Sequence, residues 1–489
     1  MSILAIDAGT TGVTALVVST KGQILARGYQ EFEQHFPKPG WVEHDPEQIW
    51  QAVLAACTRA LTLTDEKPTA IGITNQRETA VIWDRKTLSS PTNAIVWQDR
   101  RTSDLTDELE AINEGDWIRK RTGLNLDPYF TSSKFLWWQR NLPDIWEGVV
   151  SGKYALGTID SYLVARLSGG ESHITDCSNA SRTQLMNLAT GEWDRDLLAA
   201  FNIPLEALPT ITSSWGNLGK SDGKHFLGLE IPISGIAGDQ QAALFGQLAF
   251  ERGESKATYG TGAFILTNTG SEIVHSSHGL LATVAWKSDS GEITYASEGS
   301  VFVAGAAVQW LRDGLGIIER SSDIEDLANR AGTSESVVFV PSLTGLGAPF
   351  WDSKIRGSLL GITRGTNSGN IAYATLEAIA FQVRAVLDAM QQDIGHPIQT
   401  LNVDGGAAAN NLLLQIQADI SGHDVVRAKV LESTGFGAAL LAGLGAGVFG
   451  SIAELSEMNP EDQKFEPRQS RETEYQRWLN AVRLTSQFE

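Results

Sequence analysis

A strand, a turn of glycine and threonine, and a returning strand follow one another twice in this chain, once in each half. The first copy spans residues 3–18, with Gly-Thr-Thr-Gly at 9–12, and the second spans residues 256–266, with Gly-Thr-Gly at its turn. Both copies join apolar runs that have the length and composition of buried strands. The repetition indicates an internal duplication, and we expect two domains, residues 1–247 and 248–489.

The length of the chain supports two domains. It has 489 residues, whereas single hydrophobic cores stop growing at about 250–300 residues. In the first half, short apolar runs at 70–74 and 94–97 alternate with segments of helical periodicity. In the second half, a long helical segment at about 372–390 precedes an apolar run at 401–404. This alternation predicts the α/β fold class.

Composition excludes several classes of protein. Hydrophobic residues make up 42% of the chain and charged residues 20%, which excludes a disordered chain. The net charge of −20 argues against binding to nucleic acid or to an anionic membrane, since both need clustered lysine and arginine. Cys57 and Cys177 cannot form a disulfide framework, and Asp7 interrupts the apolar start, so we expect a cytoplasmic protein. The uncharged stretch 433–453 is rich in glycine, which favours packed helix and loop over a membrane span.

The two glycine–threonine turns are candidates for binding phosphate. Glycine lets backbone N–H groups point at an anion, and the hydroxyls of Thr10, Thr11 and Thr261 add donors without charge. Asp7 ends the strand before the first turn, where a buried carboxylate is costly unless it is paired or lies near a cation. Its position beside phosphate-binding amides favours Mg²⁺ held through water. The alternatives are an ordinary tight turn and a carboxylate that only caps it.

A nucleotide site in this chain must differ from the common types, because the sequence contains neither the P-loop pattern GxxxxGK[ST] nor the glycine loop of protein kinases. The segment 403–411 places glycine and small residues between a strand and a helix. Gly406 allows a flat base or ribose to lie close to the backbone, and Asn410 offers a polar contact. A plain strand-to-helix turn is the alternative.

Two pairs of polar residues follow apolar runs and suit a polyol. Arg77 and Glu78 match a vicinal diol, because a guanidinium donates hydrogen bonds and a carboxylate accepts them; a surface ion pair is the alternative. Asp239 precedes Gln240 and is the best candidate for a general base, since a hydroxyl that accepts phosphate needs a carboxylate within hydrogen-bond reach. A helix cap is the alternative for this second pair.

Three aromatic residues are candidates for covering the carbon edge of such a substrate. Trp97, Tyr129 and Phe264 each follow an apolar run or a turn. Aromatic rings supply large apolar contact areas in small-molecule sites. Packing in the hydrophobic core is the alternative for each of them.

Long segments throughout the chain resemble the FGGY carbohydrate kinases, and within that family the members that phosphorylate glycerol. The most specific segments are Pro-Lys-Pro-Gly-Trp-Val-Glu-His-Asp-Pro at 37–46, Gly-Ile-Thr-Asn-Gln-Arg-Glu-Thr at 72–79, Asn-Ala-Ile-Val-Trp-Gln at 93–98, Asp-Pro-Tyr at 127–129, Gly-Ile-Ala-Gly-Asp-Gln-Gln-Ala-Ala-Leu-Phe-Gly at 235–246 and Thr-Gly-Leu-Gly-Ala-Pro at 344–349. Residues 357–377 also resemble the family's C-terminal signature, a glycine-spaced strand that leads into a helix. So many long matches exclude coincidence.

The resemblance implies two ribonuclease-H-like (actin-type) domains that flank a cleft, with the polyol bound mostly by residues 1–247 and MgATP mostly by residues 248–489. It implies ATP-dependent phosphorylation of glycerol to sn-glycerol 3-phosphate, with Asp239 as general base. The positions that match polyol-binding residues are Arg77, Glu78, Trp97, Tyr129, Asp239, Gln240 and Phe264. The positions that match ATP-binding residues are Thr10, Thr11, Thr261, Gly305, Gln309, Gly406 and Asn410, and Asp7 matches a position near Mg²⁺. Gly305 and Gln309 rest on the resemblance alone.

The sequence departs from the family's pattern in the first turn and in one loop. Thr14 stands where related members have an arginine that helps to hold phosphate, so we expect weaker ATP binding, lower turnover or a compensating cation. Glu230 offers an acid where some members have an arginine-containing loop for fructose 1,6-bisphosphate, and we do not expect that inhibition. His225 lies in a segment similar to one that a phosphotransferase carrier protein phosphorylates in some members; an ordinary exposed histidine is the alternative.

Two other functions stay open, and the resemblance also implies a homo-oligomer, either a dimer or a tetramer. The first is an FGGY kinase for another polyol or ketose, such as erythritol, dihydroxyacetone or a pentulose. The second is an actin-like ATPase switch or filament protein, because actin-like domains serve both roles. A switch has no need of the pairs Arg77–Glu78 and Asp239–Gln240, so these pairs favour a kinase.

Overall fold

The computed structural model describes residues 1–112, 115–352 and 354–488. The first half contains, in chain order, β1 (Ser2–Ala8), β2 (Gly12–Ser19), β3 (Ile24–Glu31), β4 (Glu43–His44), α1 (Pro46–Thr62), β5 (Pro68–Asn75), β6 (Ala80–Asp84), β7 (Ala94–Ile95), α2 (Ser103–Ala111), α3 (Gly115–Thr122), α4 (Thr131–Asn141), α5 (Pro143–Val150), β8 (Tyr154–Thr158), α6 (Ile159–Leu167), β9 (Ile174–Asp176), α7 (Cys177–Ala180), β10 (Met186–Asn187), β11 (Glu192–Trp193), α8 (Arg195–Ala200), β12 (Thr210–Thr212), β13 (Trp215–Lys220), β14 (Pro232–Gly238) and α9 (Asp239–Gly246). The second half contains β15 (Ser255–Tyr259), β16 (Ala263–Gly270), β17 (Leu281–Lys287), β18 (Ile293–Val301), α10 (Gly305–Asp313), α11 (Asp323–Ala331), β19 (Val338–Val340), β20 (Ser358–Leu360), α12 (Ser368–Ile394), β21 (Thr400–Asp404), α13 (Asn411–Ser421), β22 (Asp424–Ala428), α14 (Ser433–Gly445), β23 (Glu461–Phe465) and α15 (Glu472–Thr485).

The first half is organised around a sheet with the strand order β13-β14-β5-β1-β2-β3. β1 and β2 form the antiparallel hairpin that the first glycine–threonine turn predicts, with Asp7 opposite Thr14. β5 runs parallel to both β1 and β14. Parallel strands end at the same edge of a sheet, and ligands of α/β proteins bind outside that edge. The fold therefore brings Asp7, Arg77 and Asp239 to one edge.

The second half repeats this arrangement in a sheet with the order β17-β18-β16-β15-β21-β22-β23. β15 and β16 form the antiparallel hairpin of the second turn, and β21 runs parallel to β15, as β5 does to β1. The largest apolar core lies between this sheet and the long helix α12. The internal duplication predicted from the two turns is therefore present in the strand topology.

Helix α14 belongs to the second half of the sequence but packs against the first sheet. A Cβ atom on Gly72 of β5 would lie 2.1 Å from the carbonyl oxygen of Ala438, and one on Gly235 of β14 would lie 2.3 Å from the nitrogen of Ala442. Glycine is required at these points because helix and strand backbones nearly touch. The predicted packed helix in the stretch 433–453 is thus observed, and within the described ranges no helix has the length and apolar character to cross a membrane.

A smaller sheet with the order β4-β7-β6-β8 is built onto the first half, together with the helices α2 to α5. Its apolar cluster includes the buried rings of Phe135 and Trp138. Trp97 follows β7 closely, and Tyr129 lies two residues before α4. This added layer therefore carries two of the predicted aromatic residues.

Candidate active site

The turn that follows β5 holds Arg77 and Glu78 inside the protein. The backbone N–H of Thr79 donates to the carbonyl oxygen of Arg77 at 2.7 Å, and Glu78, between them, has a φ of 61°. A positive φ is unfavourable for glutamate, and such strain persists mainly where a functional site requires it. The side chains of Arg77 and Glu78 are only 2% and 1% exposed, which excludes the alternative of a surface ion pair.

Two residues that the sequence did not single out complete a buried ion network around this turn. The guanidinium of Arg77 contacts both carboxylate oxygens of Glu298, at 2.6 and 3.0 Å. Arg182 Nε donates to Glu78 Oε1 at 2.6 Å, and Arg182 Nη2 donates to Glu298 Oε1 at 3.0 Å. Glu298 comes from β18, so charges from both halves meet here.

Burial and opposite charge act against each other in this network. Burial disfavours ionisation of Glu298, but Arg182 and Arg77 outweigh it and lower its pKa to about 2. For Glu78, burial outweighs the attraction of Arg77 and Arg182, and its pKa is raised. A signal for Glu298 existed in the sequence, because a charged residue inside a strand of apolar and small residues needs a buried partner.

Asp239 begins helix α9 next to this network. Its Oδ1 lies 3.1 Å from Arg77 Nε and accepts a hydrogen bond from the backbone N–H of Gln240 at 2.7 Å. Its side chain is 27% exposed, whereas that of Arg77 is only 2% exposed. A guanidinium thus orients this carboxylate, and its side chain is still reachable from outside.

Gln240 is held by a buried lysine from the second half. Lys256 Nζ donates to Gln240 Oε1 and to Thr258 Oγ1, the latter at 2.9 Å. Burial lowers the pKa of Lys256 to about 8, although Asp404 and Asp239 act in the opposite direction. Because Lys256 occupies the oxygen of the Gln240 amide, the NH₂ group of that amide is the end left to bind a substrate.

The three predicted aromatic residues form one wall. The ring of Trp97 meets that of Tyr129 at 5.6 Å and that of Phe264 at 6.1 Å, both edge to face. The indole N–H of Trp97 donates to Thr10 Oγ1 at 2.9 Å, which ties the wall to the first glycine–threonine turn. All three side chains are partly exposed, so the alternative of a closed core does not hold for them.

The backbone around Tyr129 is fixed by a buried lysine. Lys134 Nζ donates to the carbonyl oxygens of Pro128, Tyr129 and Phe130, at 2.8, 2.7 and 3.2 Å. Burial lowers the pKa of Lys134 to about 7. Three hydrogen bonds from one ammonium group hold the loop that presents the Tyr129 ring.

The second turn adjoins the start of helix α10. The backbone N–H of Gly305 donates to the carbonyl oxygen of Gly260 at 3.0 Å, and the backbone N–H of Ala306 donates to the carbonyl oxygen of Thr261 at 2.9 Å. A Cβ atom on Gly305 would lie 2.5 Å from the Gly260 oxygen, so only glycine allows this approach. Gln309 lies one turn further along α10 and is exposed. Thr261, Gly305 and Gln309 are thus brought together at one exposed surface.

The remaining predicted nucleotide residues lie at the end of β21. Gly406 is exposed, and a Cβ atom placed on it would meet nothing within 4 Å, so the backbone is accessible there. Asn410 uses its side-chain oxygen to cap α13, accepting from the N–H of Leu413 at 2.8 Å. Asn410 therefore has the structural role that the alternative of a strand-to-helix turn predicts. Its amide NH₂ is the group left for a ligand.

The surroundings of Asp7 fit a bound cation. Burial, together with Asp239 and Glu432, raises the pKa of Asp7 to about 8, and only Arg27 acts against them. Such an excess of negative charge is relieved by a metal ion. Within the described residues, no cluster of three or more histidine, cysteine or acidic side chains could hold a metal, so Mg²⁺ at Asp7 would depend on water and phosphate for its other ligands. The positive charge of Arg27 acts on Asp7 although its own contact is with Glu432 Oε1 at 2.7 Å, whereas Thr14 is buried.

Two comparisons decide which family this chain belongs to. The family model described as FGGY family of carbohydrate kinases, N-terminal domain, matches residues 2–246, and the model of the C-terminal domain matches residues 255–446. The chain belongs to the FGGY family of carbohydrate kinases. It is 50% identical to the glycerol kinase of Deinococcus radiodurans over 100% of this chain and 98% of that one. It is 49% identical to the glycerol kinase of Bdellovibrio bacteriovorus over 98% of each chain.

Solved structures agree with this assignment. The crystal structure of Plasmodium falciparum glycerol kinase with ADP superposes with a TM-score of 0.93 at 36% identity, covering 99% of this chain and 98% of that one. A xylulose kinase from Lactobacillus acidophilus superposes with a TM-score of 0.87 at 23% identity over 99% of this chain and 97% of that one, a likeness that concerns the fold alone. The predicted fold class, two ribonuclease-H-like domains of the α/β class, is confirmed. The protein is a kinase, and the alternative of an actin-like switch or filament protein is set aside.

The loop of this FGGY kinase that contains His225 lies on the surface. His225 Nδ1 is 2.6 Å from Asp222 Oδ2, and the histidine side chain is 49% exposed. Glu230 is also exposed and lies 3.2 Å from Lys220. The acid that distinguishes this loop is therefore engaged in a surface ion pair.

Proposed function

We propose that this FGGY kinase transfers the γ-phosphoryl group of ATP to a terminal hydroxyl of glycerol, giving sn-glycerol 3-phosphate and ADP. The observation that carries the proposal is a polar group next to the wall of three aromatic rings. Glu78 and Asp239 both lie beside Arg77, and Arg182, which pairs with Glu78, lies 5.7 Å from the ring centre of Tyr129. Glycerol has hydroxyl groups along one edge and C–H groups along the other, which suits such a site. The glycerol kinases that are about half identical along their whole length support the same substrate.

In the proposed complex, polar side chains fix the hydroxyls that do not react. Glu78 accepts a hydrogen bond from one hydroxyl, while Arg77 and the amide NH₂ of Gln240 donate to hydroxyl oxygens. Trp97, Tyr129 and Phe264 cover the carbon chain. Holding the reacting hydroxyl in line with the phosphate is the main contribution that a protein makes to phosphoryl transfer.

Asp239 acts on the reacting hydroxyl. As the bond between the glycerol oxygen and the γ-phosphorus forms and the bond from that phosphorus to the β–γ bridging oxygen breaks, Asp239 takes the proton of the hydroxyl, and ADP leaves with the electron pair. Arg77 Nε, 3.1 Å from Asp239 Oδ1, keeps the carboxylate oriented before the transfer.

The nucleotide is proposed to lie between the two turns. Backbone amides and the hydroxyls of Thr10, Thr11 and Thr261 would hold its phosphates, and Gly305, Gln309, Gly406 and Asn410 its nucleoside. Asp7 would hold Mg²⁺ mostly through water, and the bound ion neutralises charge that develops on the phosphate oxygens. Residues 1–247 are the proposed polyol domain and residues 248–489 the proposed ATP domain, acting in a cytoplasmic homo-oligomer, a dimer or a tetramer.

An ATP-coupled assay with a panel of acceptors tests the assignment. We expect the highest kcat/KM for glycerol, compared with dihydroxyacetone, erythritol and pentuloses, because the hydroxyl-binding groups are fixed by buried contacts. Omission of any acceptor should leave little ATP hydrolysis. A higher kcat/KM for a pentulose or for erythritol would replace glycerol by the other FGGY substrate class.

His225 is also proposed as a site of phosphorylation by a phosphotransferase carrier protein. With Nδ1 held by Asp222, the ring presents Nε2 to a partner, and the loop is exposed. Incubation with phosphoenolpyruvate and the carrier system should label the wild-type chain and not His225→Gln. A variant of another exposed histidine, His396→Gln, should be labelled like the wild type. Equal labelling of His225→Gln and wild type would remove this role.

A further inference from the structure

Glu298 and Arg182 lie directly behind the residues that the proposed function assigns to the polyol. Both side chains are 0% exposed, and the contacts described for them are with each other and with the residues assigned to the polyol. Glu298 contacts Arg77, and Arg182 contacts both Glu78 and Glu298. We propose that Glu298 and Arg182 are positioning residues that determine how the kinase recognises the hydroxyl groups of its polyol. This proposal rests on the proposed function and deepens it.

Glu298 decides which hydrogen atoms of Arg77 remain for a substrate. A guanidinium has five N–H donors in a rigid fork. Glu298 takes one donor of Nη1 and one of Nη2, Gln241 Oε1 lies 3.2 Å from Nη1, and Nε faces Asp239. The described contacts leave one N–H of Nη2 for a hydroxyl. Because the guanidinium is planar, the bidentate contact with Glu298 also fixes the direction of that donor.

Arg182 decides in the same way which oxygen of Glu78 remains for a substrate. Its Nε donates to Glu78 Oε1, so Oε2 is the oxygen that remains to accept from a hydroxyl. The Arg182 guanidinium also lies 5.7 Å from the ring centre of Tyr129, within cation–π range. One buried arginine therefore orients a polar group and an aromatic group of the proposed polyol site.

The network also makes recognition depend on both halves of the kinase. Glu298 lies on β18 of the second sheet, whereas Arg77, Glu78 and Arg182 belong to the first half. If β18 shifts relative to β5, the bidentate contact breaks and Arg77 is released. A misplacement of about 1 Å in a binding group can lower activity by about 10²-fold.

A purely structural role is the competing explanation, and substrate analogues distinguish the two. Propane-1,2-diol and propane-1,3-diol each lack one hydroxyl of glycerol but keep a primary hydroxyl that can accept phosphate. A site built to hydrogen-bond a hydroxyl discriminates strongly against an analogue that lacks it. Loss of folded enzyme lowers the rates on all three substrates by one factor, whereas loss of positioning lowers the rate on glycerol most.

The test compares Glu298→Gln and Arg182→Lys with the control Glu272→Gln, which changes an exposed ion pair with Arg252 on the second half. We expect glycerol KM to rise about tenfold to hundredfold in both test variants, with ATP KM within about twofold of wild type. The preference for glycerol over the better of the two diols should fall about tenfold or more. The control should keep all three values.

Each outcome of these measurements either supports the positioning role or overturns it. Should Glu298→Gln be too unstable to measure, Arg182→Lys carries the same expectation, because it keeps the charge and loses the fixed contact with Glu78. Equal losses on glycerol and on both diols, or an unchanged glycerol KM, would overturn the positioning role. A wild-type enzyme that phosphorylates pentuloses and not glycerol would instead overturn the proposed function, which separates the two failures.

Discussion

The two proposed substrate regions of this kinase are formed by different kinds of chemical group. The polyol region consists of side chains whose charges are buried and paired, such as Arg77 with Glu298. The nucleotide region consists of turns in which glycine and threonine leave the backbone accessible, as at Thr261 and Gly406. A side chain that distinguishes the positions of hydroxyl groups must be held rigidly, whereas phosphate is bound well by any set of N–H groups that can approach it.

Substitutions are expected to damage the two regions in different ways. In the polyol region, loss of a functional group removes an interaction or leaves its partner buried and unpaired. In the nucleotide region, addition of a methyl group to Gly305 is the damaging change, because a Cβ atom there would lie only 2.5 Å from the Gly260 carbonyl oxygen. Substitutions in the first region should therefore affect the polyol parameters, and those in the second the ATP parameters.

The largest expected effect is that of Asp239→Asn. Asparagine keeps the size of the side chain but cannot take a proton, so we expect kcat to fall by about 10²–10⁴. Asp239 is partly exposed and, among the residues that the structure describes, forms an ion pair with Arg77 alone, so the variant should remain folded. Single-turnover assays with saturating ATP and glycerol measure the effect. The matched control is Asp313→Asn, an exposed aspartate paired with its neighbour Arg312, and turnover of Asp239→Asn near that of this control would exclude Asp239 as the base.

A smaller effect, limited to the nucleotide, is expected from Gly305→Ala. The new Cβ atom would meet the Gly260 carbonyl oxygen at 2.5 Å, so the turn that carries Thr261 must move. We expect ATP KM to rise about tenfold while glycerol KM stays within about twofold. Gly365→Ala is the control, because its Cβ atom has an ordinary contact of 3.7 Å with Thr363. An equal rise in both KM values would contradict a separation of the two regions.

The turns of the proposed nucleotide region were easier to recognise in the sequence than the buried ion network behind the proposed polyol region. The glycine–threonine turns and the strand ends at Asp7 and Arg77 are local features, which composition and periodicity reveal. Glu298 and Arg77 are 221 residues apart, and Arg182 and Glu78 are 104 apart. Tertiary packing brings such residues together, within the first half for Arg182 and Glu78 and between the halves for Glu298 and Arg77. Reading the sequence in local windows could mark Glu298 as a buried charge, but it could not identify these partners.

The aromatic wall connects the two regions, and Trp97→Phe tests this connection. Phenylalanine keeps an aromatic ring but loses the indole N–H that donates to Thr10 Oγ1 at 2.9 Å. A net hydrogen bond contributes about 0.5–1.5 kcal/mol, so we expect a change of about twofold to tenfold in kcat/KM. Both glycerol KM and ATP KM should rise, in contrast to Gly305→Ala. A change in glycerol KM alone would show that the indole contact does not link the regions.

The smallest effect concerns stability and involves His44, which lies beneath both regions. Its Nδ1 is 3.3 Å from Gln76 Nε2, and that amide donates to the carbonyl oxygen of Gly9 in the first turn at 3.1 Å. Burial, with a smaller contribution from His35, lowers the pKa of His44 from 6.5 to about 4. The unfolded chain therefore binds a proton between these two pH values that the folded chain does not, and stability falls as the pH falls through this window.

For His44 alone, this linkage amounts to about 1 kcal/mol between pH 8 and pH 6. Urea unfolding of His44→Gln at several pH values should therefore show a shallower loss of stability on acidification than the wild type. His396→Gln, at an exposed position, should keep the wild-type slope. Because slopes are compared, the other histidines whose pKa burial lowers, His173, His275 and His423, contribute equally to every protein and cancel. Identical slopes for His44→Gln and wild type would mean that folding does not lower the pKa of His44, and the burial of its ring would then carry no cost on acidification.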